Sequence, residues 1–131
     1  MTVTLRELAP SLEGVIPPVL ATCSAAGEPN LTYLSSVQVL DDDHVVLSNQ
    51  FFGKTIANLE ENPRACVLAQ DAETGRMFRI RMRFARRETD GPVFDELSRR
   101  IDAIAAMMGM EAVFRLRSAD IYAVDGCEAM E

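Results

Sequence analysis

Apolar and polar positions alternate with two periods along this chain, and the switches between them divide it into elements. Leu5, Leu8 and Leu12 fall at helical spacing, which predicts a short helix within residues 1–14, interrupted at Pro10. Pro17 and Pro18 then lead into a strand at 19–24. A turn at 25–29 separates it from a second strand at 30–40, and the acidic reversal at 41–44 precedes a third strand at 45–50. The period changes after Gly53. Ile56 and Leu59 share one helical face, and Asn62-Pro63 stops that helix, because a residue before proline resists the α conformation.

A fourth strand follows at 64–70, and residues 71–75 form a turn. The fifth strand is the most regular. Phe78, Ile80, Met82 and Phe84 alternate with Arg79, Arg81 and Arg83, so one face is apolar and the other cationic. Beyond Gly91-Pro92, the positions Phe94, Leu97, Ile101, Ile104 and Met108 make an amphipathic helix that Gly109 ends. One or two final strands are expected at 112–117 and 120–124. The sum is an α+β fold, mainly β: about six antiparallel strands closing as a barrel, with two or three short helices. Residues 1–131 are expected to form one domain, with the N-terminal helix over 1–14 and a tail over 125–131.

Composition narrows the function. Apolar residues make up 48% and charged residues 25% of 131, which suits a globular domain. The net charge of −7 opposes phosphate polymers, so nucleic acid is not expected as a partner. Cys23, Cys66 and Cys127 are odd in number and widely spaced, reading as reduced thiols, and a single histidine, His44, cannot build a histidine metal cluster. His44 follows Asp41, Asp42 and Asp43 and reads as part of a solvated turn. No apolar run is long enough to cross a bilayer and the first residues lack a basic-then-apolar leader, so a cytoplasmic protein without membrane contact is expected.

Two places could carry chemistry. The first is residues 48–55, where a strand ends, glycine permits a close approach and a helix begins. Unpaired N–H groups and the positive end of the helix dipole make such a start an anion pocket. Lys54 is the only lysine beside 12 arginines, and Ser48 and Thr55 add hydroxyls, which together suit a phosphate monoester. An ordinary helix cap with a solvated lysine reads equally well. The second place is the arginine row. Its cations repel one another unless acids face them, as on a solvated neutralised face, or unless they line a subunit interface or ligand edge. No dinucleotide fingerprint, complete phosphate-binding loop or nucleophile elbow is present.

The order of these elements, and the wording of three segments, resembles the pyridoxamine 5′-phosphate oxidase-like family. The likeness covers roughly residues 15–124 and is carried by Gly27-Glu-Pro-Asn30 leading into residues 31–36, by residues 48–59, and above all by Lys54, Thr55, Asn58, Leu59 and Asn62 to Ala65. It implies an FMN-binding split β-barrel that works as a homodimer, with flavin sites in grooves between subunits. By resemblance, Lys54 and Thr55 hold the FMN phosphate, helped by Ser48, Asn49 and Gln50. Tyr33, Leu34, Ser35 and Ser36 lie against the isoalloxazine, and Arg79 and Arg81 of the partner's fifth strand stand at the groove edge. Phe52 stands where many relatives carry a second basic phosphate contact. Residues 121–131 carry no counterpart of the strand that grips pyridoxine phosphate in the vitamin-processing enzymes, so that substrate is not expected.

The resemblance thus implies a flavin-dependent oxidoreductase of unassigned substrate, with a nicotinamide as one source of its electrons. Two alternatives stay open at this point: a cofactor-binding or sensing module holding flavin, haem or deazaflavin without turnover, and a cofactor-free structural dimer. No catalytic acid–base residue is assigned.

Overall fold

A computed structural model describes residues 2–13, 16–34, 37–49, 53–109 and 116–130. The elements in chain order are β1 (Thr2–Val3), α1 (Leu5–Leu8), a 3₁₀ turn at Ala9–Leu12, β2 (Val19–Cys23), β3 (Pro29–Tyr33), β4 (Val37–Asp41) and β5 (His44–Asn49). Then follow α2 (Lys54–Glu61), β6 (Arg64–Gln70), β7 (Met77–Glu88), α3 (Gly91–Met108) and β8 (Ser118–Met130). All pairings are antiparallel, and the order across the sheet is β3-β2-β6-β7-β8-β5-β4, with β1 added to β8.

The expectation of a mainly β, split-barrel α+β fold holds, with eight strands in place of about six. The N-terminal helix is shorter than the 1–14 expected. Thr4 caps α1 reciprocally, its hydroxyl accepting from the Glu7 N–H at 3.2 Å while Glu7 accepts from the Thr4 N–H at 2.8 Å. Pro10 then supplies no donor and the chain tightens into the 3₁₀ turn. The predicted tail at 125–131 is instead a strand through Met130, because Cys127 and Glu128 pair with both β1 and β7. The final strand expected at 112–117 falls mainly on 110–115, outside the described residues.

The second strand, expected unbroken over 30–40, divides into β3 and β4. These occupy opposite ends of the strand order, although only three residues separate Tyr33 from Val37. Four chain steps span at most about 14 Å. The sheet must therefore curl until its two outer strands approach, which is what makes it a barrel without full closure.

Inside the curl, the alternating residues meet. Leu20, Val45, Leu47, Val67, Ile80 and Tyr122 are fully buried in one cluster with Leu5, Leu8 and Phe78. Each such aliphatic side chain contributes about 1.5–3 kcal/mol on burial. A second cluster lies on the other side of β5 and β8, where α3 places Leu97 against Val46, Ala119 and Ile121. Pro92 sits in the first turn of α3, and Gly109 ends it at φ +68°, a conformation glycine adopts without steric cost. Leu97 and Ile101 are buried as the periodicity predicts, whereas Ile104 is exposed and Ala105 takes the inward place. No helix among the described residues is long and apolar enough to cross a membrane.

One core group lacks a complement. Tyr122 is fully buried, edge-on to Phe84 at 5.5 Å between centroids, and its hydroxyl finds no hydrogen-bond partner among the described residues. Desolvation holds its phenol above the ordinary value. A buried unsatisfied hydroxyl costs about 1–3 kcal/mol, so Tyr122→Phe is expected to stabilise the fold by about 1 kcal/mol in urea unfolding at pH 7. Destabilisation instead would mean that the hydroxyl has a partner in solution.

Candidate functional site

Among the described residues, α2 is tied to the β2–β3 hairpin by four side-chain bonds, two of them at its start. Lys54 Nζ donates to Glu28 Oε1 at 2.9 Å, and Asn30 Nδ2 donates to Thr55 Oγ1 at 3.3 Å. One turn on, Asn58 Nδ2 donates to Thr22 Oγ1 at 3.2 Å, and at the far end Glu61 Oε2 accepts from the Ala25 N–H at 3.0 Å. The hairpin turn is itself fixed. Ser24 and Glu28 exchange bonds, Glu28 N–H to Ser24 Oγ at 3.1 Å and Ser24 N–H to the Glu28 carbonyl at 3.0 Å, around Gly27 at φ +86°. Asparagine is a poor residue for a helix interior, so Asn58 within α2 was a readable sign of a side chain committed elsewhere.

Among the described residues no side chain caps the start of α2 at Gly53, and its first turn carries no acid. Its N–H donors and positive dipole end lie beside the Lys54 ammonium, which is half exposed. That donor set suits an anion such as a phosphate monoester in charge. The ammonium already has an anion: it holds the Glu28 carboxyl below its ordinary value, first by the hydrogen bond and then by charge. Thr55 is only 2% exposed, its oxygen turned to Asn30.

The other predicted site residues are distributed differently. Ser48 is buried on β5. Asn49 is buried too, its Nδ2 donating inward to Ser118 Oγ at 3.1 Å and its carbonyl accepting from the Arg117 N–H at 2.8 Å. Ser118 Oγ donates to Asp120 Oδ1 at 2.7 Å, and Arg87 Nε donates to the same oxygen at 3.0 Å. Asn49 thus belongs to a buried polar chain that anchors β5 shortly before Lys54 is reached. A lone acid within the apolar run of residues 119–124 was the available signal for this pair. Gln50, Ser35 and Ser36 lie outside the described residues, as do Phe51 and Phe52.

Tyr33, Arg79 and Arg81 stand on the opposite face of the sheet from Thr22 and Asn30. The registers Tyr33↔Val19, Val19↔Leu68 and Leu68↔Arg79 form one row across β3, β2, β6 and β7, and Leu31, Ala21, Cys66 and Arg81 form the next. Leu34, beside Tyr33, is core, 3% exposed. Within one protomer the α2 start and this outward face are therefore not one site. The face is apolar at its β3 end, where Leu31 and Tyr33 are 70% and 74% exposed, and cationic at its β7 end.

The arginine row is neutralised from β8. Glu128 accepts from Arg79 Nη2 and Arg81 Nε, both at 2.6 Å, and these bonds keep its carboxyl below the ordinary range. Arg83 Nε bonds both Asp125 oxygens, at 3.0 and 3.1 Å. The acid-faced reading of the row is the one realised within the protomer. The Cys66 and Cys127 thiols are unpromising nucleophiles, because burial pushes both up. His44 closes the 41–44 turn, its Nδ1 2.8 Å from Asp41 Oδ1. Among the described residues no group of three or more His, Cys, Asp or Glu is placed to hold a metal. An open recess of about 580 Å³ lies elsewhere, between β1, the β4–β5 turn and β8, lined by Arg6, Asp42, Asp43 and Asp125.

Residues 6–125 match the model of the family described as pyridoxamine 5′-phosphate oxidase. Among solved structures, the fold is similar to an FMN-binding protein from Syntrophomonas wolfei subsp. wolfei, at 20% identity and TM-score 0.80 over 95% of this chain and 85% of that one. It is also similar to HupZ of Group A Streptococcus, at 20% identity and TM-score 0.74 over 98% and 94% of the two chains. HutZ, the heme storage protein from Vibrio cholerae, aligns at 16% identity and TM-score 0.63 over 95% and 93%. No curated protein sequence matches the chain.

Proposed function

The chain belongs to the pyridoxamine 5′-phosphate oxidase family, and from that premise we propose that it is a homodimeric FMN-binding flavoprotein of the cytoplasm, an oxidoreductase acting on a small molecule. The observation that carries the reading is the start of α2, uncapped by any side chain among the described residues, with the chain's only lysine on it and the β2–β3 hairpin laced against the helix. Lys54 and the first N–H groups of α2 take the FMN phosphate. The Thr55 hydroxyl, already accepting from Asn30, keeps the helix start in place more than it touches ligand. FMN, when bound, supplies reversible electron transfer.

The chain's own contribution is position and exclusion of water. The α2 start and the outward sheet face occupy opposite sides of the β2–β3 hairpin, so a groove that uses both needs a second copy. Leu31 and Tyr33 are large apolar side chains left in water in a single protomer, and pairing through that face covers them. Arg79 and Arg81, held by Glu128, then edge the groove with oriented donors. Ser48 and Asn49 support the phosphate end from β5, and Tyr33 flanks the ring. A second reading, a module that holds a cofactor without turnover, is favoured by one fact: Lys54 and Glu28, the titratable pair at the α2 start, neutralise each other.

The test is the visible spectrum of protein titrated with FMN, read together with sedimentation. A yellow complex with one flavin per chain, on a particle of twice the chain mass, is the expected result. Leu31→Glu is expected to halve that mass and lose most flavin while leaving the fold intact, since the side chain is exposed. A monomeric wild-type chain, or no flavin uptake, would overturn the reading.

A further inference from the structure

The contact between Lys54 and Glu28 joins the only lysine of the chain to a carboxylate whose backbone is fixed. Glu28 is 70% exposed at its side chain, yet its N–H and carbonyl are both engaged by Ser24, and Gly27 sets the turn that aims it. The same hairpin is pinned to α2 through Asn30, Thr22 and Ala25, so the backbone that carries Glu28 is held beside the ammonium while its side chain stays exposed. Any anion arriving at the helix start meets a lysine already neutralised and a negative charge within a few ångströms of it.

We propose that Glu28 is an internal competitor at the anion site: a carboxylate that occupies the Lys54 ammonium and sets how strongly a phosphate monoester dianion must bind to displace it. This rests on the reading of Lys54 as the phosphate contact and adds a specificity residue to it. Whether the dianion pushes Glu28 aside or shares the ammonium with it, the sign is the same. A negative charge beside the phosphate opposes binding, and removing it must favour binding. Weak or singly charged anions are thereby kept off the site, and an uncharged ligand that lacks the phosphate is indifferent to Glu28.

The experiment compares wild-type, Glu28→Gln and Lys54→Ala full-length chains for FMN and riboflavin affinity at low ionic strength. Glu28→Gln is expected to tighten FMN about three- to tenfold and to leave riboflavin unchanged, the difference shrinking in high salt. Looser FMN binding would show that Glu28 orients the lysine instead, and unchanged FMN binding would show that it does not compete; either overturns the proposal. If Lys54→Ala weakens FMN alone while Glu28→Gln does nothing, the phosphate reading stands and only the competitor falls.

Because Lys54 is the only lysine, acetylation of its side chain by an amine-reactive activated acetyl ester, which releases its leaving group as the amide forms, supplies a readout that needs no flavin when the adduct is located by mass spectrometry. Inorganic phosphate is expected to protect Lys54 at several-fold lower concentration in Glu28→Gln than in wild type. Equal protection overturns the competitor. Absence of protection in both overturns the competitor and the phosphate site together.

Discussion

Lys54→Ala is expected to weaken FMN about ten- to thirtyfold while leaving riboflavin within about twofold. A charge-assisted hydrogen bond is worth about 1.5–3 kcal/mol, and a half-exposed ammonium belongs at the lower end of that range, about 1.5–2 kcal/mol, because water and salt screen it. The comparison isolates the phosphate, since the two ligands share the ring and the ribityl chain. Flavin fluorescence titration reads both. The loss contains a second part: without the ammonium, the Glu28 carboxylate faces the phosphate uncompensated. The double variant with Glu28→Gln should therefore recover part of the affinity, and the non-additivity measures the coupling. Equal weakening of both flavins would place Lys54 away from the phosphate.

Asp120→Ala is expected to destabilise the fold by about 2–3 kcal/mol, well beyond what loss of an exposed ion pair costs. The carboxylate is fully buried and receives Ser118 Oγ at 2.7 Å and Arg87 Nε at 3.0 Å. Its removal strands a buried hydroxyl and takes the counter-charge from Arg87. The guanidinium is 31% exposed and lies over the Phe84 ring at 5.2 Å, so water and the aromatic face keep the cost below that of a fully enclosed pair. Asp120→Asn keeps an acceptor and should cost about half as much. Urea unfolding at pH 7 distinguishes the two. A loss below about 0.5 kcal/mol for the alanine variant would mean that the network contributes nothing net. Through Asn49, the same chain of bonds reaches the end of β5, so flavin affinity should fall in both variants even where the folded fraction is high.

Periodicity located most of the secondary structure, because burial on one face imposes its own repeat. β7 was legible residue by residue: Phe78, Ile80 and Met82 are buried and Arg79, Arg81 and Arg83 are not. α3 was legible in its start at Pro92, its buried Leu97 and Ile101, and its stop at Gly109. The breaks were less visible. Nothing in the apolar content of residues 30–40 shows that β3 pairs with β2 while β4 pairs with β5, since both halves have strand composition and the partners are set by distant chain. Residues 125–130 are too mixed to read as a strand, yet they are one, because β1 and β7 both offer them backbone partners.

The site divides in the same way. That Lys54 begins a helix after a glycine, and that arginines share a face, follows from local spacing alone, because helix starts and strand alternation are short-range geometry. That Glu28 takes the ammonium, that Glu128 and Asp125 take the arginines, and that Asn49 turns inward to Ser118 depend on strands far apart in the chain being brought side by side. Local chemistry determined which charges this protein presents; only the pairing of distant segments decided which acid Lys54, Arg79, Arg81 and Arg83 each meet, because a Coulomb partner is chosen by distance in space and not by position along the chain.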